Sequence, residues 1–316
     1  MKQKKTISYI LVTLLFVVLV WKIIEGFDQI KNIQWKLEYT NLIPLMLVLL
    51  PAPFVNALSW HLMTKFLGGN IRFEDNFKIW TYSNAARFFP GSVWQYAGRV
   101  YMLSQKGISK SFTTTALLLE AGLNVAAGSI IALLTINLSI VDPQKFFLNS
   151  HVSPPLVIVL TLLAVVAIAT LAKSKLAQLK SSIKTALDKG RSRLVNANLL
   201  LLPLICLSVL TQFILAGLAL FFTASIVNAT GATQLNPANI FPFIGIYSAS
   251  WVIGYLAFLA PSGLGVREAS ITGLLTTYVP LAIAGFIAIL FRISSLISEA
   301  LTVFIVFAMS QKKPLE

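Results

Sequence analysis

Apolar residues in this chain come in long blocks, without the spaced stripe of a surface helix or the alternation of a half-buried strand. The blocks fall at roughly 7–24, 42–66, 111–140, 154–172, 199–227 and 238–259, and a seventh, interrupted region runs from about 269 to 309. A helix rises about 1.5 Å per residue, so about 20 apolar residues reach across a bilayer's hydrocarbon core. Each of the first six blocks therefore predicts a transmembrane helix. The seventh has two readings. Either it crosses twice with a turn squeezed into Phe291–Ser294, giving eight spans, or a broken segment ends at Thr276-Thr-Tyr-Val-Pro280 and one long helix follows, giving seven. Proline disfavours helical geometry in the residue before it, which makes Pro280 a natural break.

Composition agrees with the blocks. Of 316 residues, 57% are hydrophobic and only 11% charged, and the mean hydropathy is +0.80. One soluble core could not hide that much apolar surface, so a soluble enzyme and a soluble nucleic-acid binder are both set aside. The expected fold class is an all-α polytopic membrane protein of seven to eight transmembrane helices in a single domain, 1–316. The first block follows Lys2, Lys4 and Lys5, but no small-residue cleavage site comes after Trp21, so it predicts an uncleaved span rather than a secretory signal.

The net charge of +14, from 25 Lys and Arg against 11 Asp and Glu, turns a list of spans into an orientation. Three basic residues precede the first span, seven lie between 65 and 110, and seven between 173 and 193. These stretches share one side if every block spans once, and the alternate loops carry few basic residues. Translocating Lys and Arg is disfavoured, so the N-terminus and the basic stretches are expected in the cytoplasm and the protein in the plasma (inner) membrane. The basic segment 173–198 can lie against anionic lipid without a specific ligand.

Two stretches fit neither loop nor span: Asn84-Ala-Ala-Arg-Phe-Phe-Pro-Gly-Ser-Val-Trp-Gln-Tyr-Ala-Gly-Arg99 and Leu259-Ala-Pro-Ser-Gly-Leu-Gly-Val-Arg-Glu-Ala269. Each sets Pro and Gly inside apolar sequence and follows with an arginine. Pro90-Gly91 and Pro261 with Gly263 and Gly265 break helices, and backbone freed at membrane depth is tolerated only where protein or a wet cavity satisfies it. Broken or re-entrant helices of this kind aim N–H groups at an anion, with Arg87, Arg99 or Arg267 adding bidentate donors. The plainer alternative is a pair of interfacial loops whose arginines touch lipid phosphates nonspecifically. The recurrence hints at an internal repeat, with halves 1–198 and 199–316; both motifs on the cytoplasmic side would make the repeats parallel.

Arg87-Phe-Phe-Pro-Gly-Ser with Gly98-Arg99, Leu103 and Gly107-Ile-Ser109 beyond it, then Pro261-Ser-Gly-Leu-Gly-Val-Arg-Glu-Ala269, resembles the paired signatures of the lysylphosphatidylglycerol synthase transmembrane (flippase-like) family. The likeness extends over essentially the whole chain. It implies a polytopic inner-membrane protein. In the bifunctional multiple peptide resistance factor, a similar unit moves an aminoacylated phospholipid between leaflets, and a separate soluble domain makes that lipid. The chain ends at Glu316 without such a domain, so aminoacyl transfer is not expected. Ala121 stands where the family often places an arginine after the acidic residue, so Glu120 lacks that neighbour as a partner.

Three charged residues sit inside apolar runs: Glu120, Arg292 and Glu299. A charge at the centre of an inserted helix costs roughly 2.5 to 3.5 kcal/mol, so such groups face protein or water and find partners. Arg292 and Glu299 share a helical face two turns apart, too far for a direct pair but placed to line one cavity. For Glu120 and Glu268 a structural ion pair and a headgroup or proton-coupling role are both open. The candidate headgroup residues are thus Arg87, Pro90, Gly91, Arg99, Glu120, Pro261, Gly263, Gly265, Arg267, Glu268, Arg292 and Glu299.

Other features carry less. Cys206, the single cysteine, reads as a small packing residue, and His61 and His151 have no ligand-spaced neighbours, so no metal is expected. Trp and Tyr at positions 21, 35, 60, 80, 94, 101 and 278 flank the runs and suggest an interfacial belt. No phosphate-loop, nucleophile-elbow or zinc-type motif occurs, and no cofactor is expected. Three functions stand against this background. The first is flippase-like movement of an anionic or aminoacylated lipid between leaflets, a phospholipid or polyprenyl phosphate. The second is a scaffold or accessory subunit for a separately encoded glycosyltransferase or lipid synthase, and the third an integral-membrane lipid transferase using Glu120 or Glu268 as base.

Overall fold

The computed structural model describes residues 35–88, 93–135, 198–229, 235, 237–257, 263 and 265–311, and in these the apolar blocks are helices. The expected spans at 7–24 and 154–172, the basic segment 173–193, His151, and Pro90, Gly91 and Pro261 lie outside the described residues. Helix α1 (Leu42–Leu49) and α2 (Ala52–Phe66) belong to one 28-residue apolar stretch, Tyr39–Phe66, with a joint at Pro51 and Pro53, where missing N–H groups interrupt the ladder. Further on come α3 (Phe73–Ala85), α4 (Trp94–Gln105), α5 (Lys110–Thr135), α6 (Leu202–Ile226), α7 (Ile240–Leu256), α8 (Val266–Leu275) and α9 (Leu281–Gln311).

Five stretches, Tyr39–Phe66, Lys110–Thr135, Leu199–Ile226, Pro237–Leu256 and Leu281–Ser310, are long and apolar enough to cross a membrane. Their outward faces suit lipid rather than water: Leu134 and Leu200 are 80% and 86% exposed. Cys206 belongs to such a face, flanked by exposed Leu204 and Leu207, and does not pack inside as expected. Where helices do touch, small residues let backbones approach. A Cβ on Gly217 of α6 would stand 2.4 Å from the Ile244 Cα of α7.

The region 269–309 resolves into a short helix and a long one. Helix α9 runs unbroken through Phe291–Ser294, so the turn required by the eight-span reading does not occur; the break falls at 276–280, before Pro280. Another departure from the all-helical expectation is small: Trp35–Leu37 (β1) pairs antiparallel with Val227–Ala229 (β2), tying the start of the first described span to the end of α6.

Helix α6 serves as a ruler for the rest. Its first residues lie by the end of α2, where Asn198 N–H donates to Phe66 O at 3.2 Å, and its last residue meets the entry to α1, where Glu38 N–H donates to Ile226 O at 3.1 Å. Phe66, Ile71, Leu103, Phe112 and Ile205 pack in one cluster at the first end. Ile226, Val227, Phe243, Leu275, Val279 and Ile283 pack in another at the second.

The seven basic residues between 65 and 110 therefore do not form a loop. Helices α3 and α4 make a hairpin whose open end lies at the first end of the bundle. Asp75 holds it shut there, accepting from Lys106 Nζ at 2.8 Å and Arg72 Nε at 3.1 Å. Burial alone would raise the Asp75 carboxyl, but those hydrogen bonds and charges outweigh it and hold the group below its ordinary value. Helices α7 and α8 make the second hairpin, with Phe243 against Tyr278 at its open end and Gly254 against Arg267 at its tip. That hairpin opens at the second end. The tips of the two hairpins thus approach each other from opposite ends of the bundle.

Candidate functional site

The hairpin tips place charged side chains beside the spanning helices. Arg87 follows α3 in a short 3-10 turn, Arg99 lies on α4, Glu120 on α5, Arg267 and Glu268 in the first turn of α8, and Arg292 and Glu299 on α9. All seven line one cavity of about 310 Å³. Of the other candidates, Gly263 lines it too, Gly265 does not, and Pro90, Gly91 and Pro261 are outside the described residues.

Three pairs form. Arg99 Nη1 lies 2.7 Å from Glu120 Oε2, Arg292 Nε lies 3.5 Å from Glu268 Oε1, and Arg87 Nη2 donates to Glu299 Oε1. The partner that Glu120 lacks at position 121 comes from another helix. Arg292 and Glu299, too far apart to pair, each reach a different hairpin. Helix α9 is thereby latched to the first motif at Glu299 and to the second at Arg292.

Local backbone explains why the second motif needs glycine. Gly263 has φ +67°, and a Cβ there would stand 2.9 Å from Gly254 O. Gly263 therefore lies directly on α7. Gly265, at φ +81°, precedes α8, and its N–H donates to Glu268 Oε2 at 2.7 Å. Glu268 thus caps the helix with one oxygen and meets Arg292 with the other.

Arg99 is the most enclosed of the arginines, at 3% side-chain exposure. Its Nε donates to Ser83 Oγ at 3.3 Å, and its guanidinium carbon lies 4.5 Å from the Trp60 ring centroid. Trp60 Nε1 in turn donates to Asn76 Oδ1 at 3.2 Å, and Asn76 Nδ2 contacts His61 Nδ1 and Thr64 Oγ1 at 3.0 Å each. His61 is a member of this structural network. Trp60 and Trp80 are buried, at 0% and 8% exposure, and so do not belong to the expected belt; Trp94 and Tyr101 face outward. The ring of Trp60 is held inside because its N–H has a partner and its face a cation.

The neutral polar lining is not among the residues expected from sequence. Gln212 Nε2 donates to Asn124 Oδ1 between α6 and α5, and Tyr96 and Tyr255 hydroxyls meet at 3.2 Å between α4 and α7. All four line the cavity. An amide in the middle of an apolar run, as at Asn124 and Gln212, was the available signal, since such groups face protein interior or a cavity.

A helical membrane bundle with a charged, amide-lined cavity where two hairpin tips meet defines a polytopic membrane protein with an internal polar site. The chain belongs to the lysylphosphatidylglycerol synthase TM region family, whose model matches residues 7–301. A search of curated proteins finds no match.

Proposed function

We propose that the protein is flippase-like and lets the headgroup of an anionic or aminoacylated lipid pass between leaflets through the cavity. The observation that carries this reading is the gathering of all seven buried-span and hairpin-tip charges, from five separate segments, around one cavity. Helices α3 and α4, at 13 and 12 residues, are each about 20 Å long and too short for a hydrocarbon core of about 30 Å, which supports reading their hairpin as re-entrant. With α7 and α8 entering from the other face, a polar site reachable in turn from either side is what alternating access requires. The basic end, with Lys65, Lys106 and Lys110, faces the cytoplasm, and the protein resides in the plasma membrane.

Lipid tails stay in the bilayer while the headgroup occupies the cavity. Its phosphate engages guanidinium groups, and an amine, where present, engages Glu120, Glu268 or Glu299. The test is leaflet exchange of labelled phospholipid and of labelled polyprenyl phosphate in liposomes holding the purified protein. Exchange of one class, reduced by Arg87→Ala, Arg99→Ala and Arg267→Ala, is expected. Exchange equal to protein-free liposomes for both classes would remove this reading and leave the accessory-subunit one.

A further inference from the structure

Four arginines and three glutamates line the cavity, and the three glutamates are all engaged, by Arg87, Arg99 and Arg292. Among the described residues, Arg267 is left over. Its Nε is buried with no hydrogen-bond partner among the described residues, and no carboxylate there lies within ion-pair distance of it. Its undescribed sequence neighbours, 258–262 and 264, include no acidic residue. The adjacent Glu268 is turned away, accepting from Gly265 N–H and facing Arg292. The guanidinium is also held in place. A Cβ on Gly254 would stand 3.1 Å from Arg267 Cβ and 3.5 Å from its Nε, so the side chain lies along the bare backbone of α7. Arg267 lines the same cavity as Glu268, Arg292, Arg87 and Glu299, which places the unmatched cation within the same charged cluster.

We infer that Arg267 is the anchor for a single negative charge and that the cavity takes a phosphodiester monoanion, which rests on reading the cavity as a headgroup site. One monoanion makes the cavity neutral while leaving all three pairs intact. A phosphate monoester dianion leaves an excess negative charge, and a headgroup bearing a net positive charge adds to an existing excess. Either must open an Arg–Glu pair to be accommodated. The planar guanidinium matches two phosphate oxygens at once, as an ammonium does not.

Native mass spectrometry of the full chain, released from nanodiscs containing equal parts phosphatidylglycerol, phosphatidic acid, phosphatidylcholine and lysyl-phosphatidylglycerol, tests this. One retained phosphatidylglycerol per protein is expected, at least tenfold over the other three. Arg267→Gln should lower retention about tenfold, Arg267→Lys should restore part of it, and Lys65→Gln, at a position outside the cavity lining, should leave it unchanged. Thermal midpoints of the variants in the same detergent separate loss of the site from loss of the fold. Soluble glycerophosphoglycerol is offered in a second arm. Competition by it marks a free phosphodiester as sufficient, and its failure while the lipid binds marks the lipid as the source. Equal retention by wild type and Arg267→Gln, or preference for the cationic lipid, overturns the inference. Retention without leaflet exchange would sink the transport reading alone, and exchange with no Arg267-dependent retention would sink this one alone.

Discussion

Replacing Arg99 by methionine leaves Glu120 facing a site built for its partner. Wild type holds that guanidinium through an ion pair at 2.7 Å, a hydrogen bond from Nε to Ser83 at 3.3 Å and the Trp60 ring at 4.5 Å. Removing one member of a buried pair costs about 3 to 5 kcal/mol, chiefly because the other charge stays buried and unmatched. Glu120 retains 18% side-chain exposure, so water relieves part of the penalty and the lower value, about 3 kcal/mol, is expected. Glu120→Met strands Arg99 with Ser83 and Trp60 and should cost a similar amount. Changing both together removes both charges and fills the space with thioether, which should bring stability back to within about 1 kcal/mol of wild type. The cycle then yields a coupling of about 5 kcal/mol. Denaturant titration in mixed micelles, with midpoint and slope compared across the four proteins, measures it. A single-variant loss below about 1 kcal/mol, as for an exposed pair, or a double variant as unstable as the two losses added, would refute the reasoning.

Other consequences are quicker to state. Gly263→Ala should cost about 2 to 3 kcal/mol, from the left-handed backbone and the clash with Gly254 O. Gly107→Ala, at φ +77° with nothing within 4 Å, should cost only the conformational part, about 1 kcal/mol, and equal losses at the two sites by denaturant titration would count against a close loop–helix contact. Gly217→Ala forces α6 from the Ile244 backbone and should lower stability by about 1 to 3 kcal/mol in the same assay; a neutral result would mean that the two helices do not cross as closely. The Asp75 carboxyl has a lowered pKa, so its contribution is complete above the unfolded-state value of about 3.9 and disappears as pH falls through the lower folded-state value. Asp75→Asn should therefore lower stability near neutral pH and flatten the acid limb below about pH 4, and parallel curves for the two proteins between about pH 6 and about pH 3 would contradict the hairpin clasp.

Single residues show how far the sequence reading reached. Glu120, Arg292 and Glu299 declared themselves because a charge in an apolar run is costly wherever the helix packs, and Arg87, Arg99 and Arg267 did so by flanking Pro and Gly inside such runs. Which of them pair was not legible. Position 121 offered Glu120 nothing, and the partner came from position 99 on a neighbouring helix, 21 residues away in the chain. Trp60 was misassigned for the same reason: its location at the end of a run reads as interfacial, whereas Asn76 and Arg99, both from the first hairpin, give its two sides a buried environment.

Sequence by itself determined the solvent of this protein. Block length, hydropathy and the clustering of Lys and Arg depend on local transfer free energies, which are summed along the chain and need no knowledge of its path. Tertiary structure decided what the polar remainder does. The direction of each hairpin depends on which end of α6 its open side packs against, and that brings the two tips to a shared interior. Among the described residues it also sorted four similar arginines into three that neutralise glutamates and one, Arg267, that does not. Charge balance is a property of distances in space, and those distances join residues far apart in sequence.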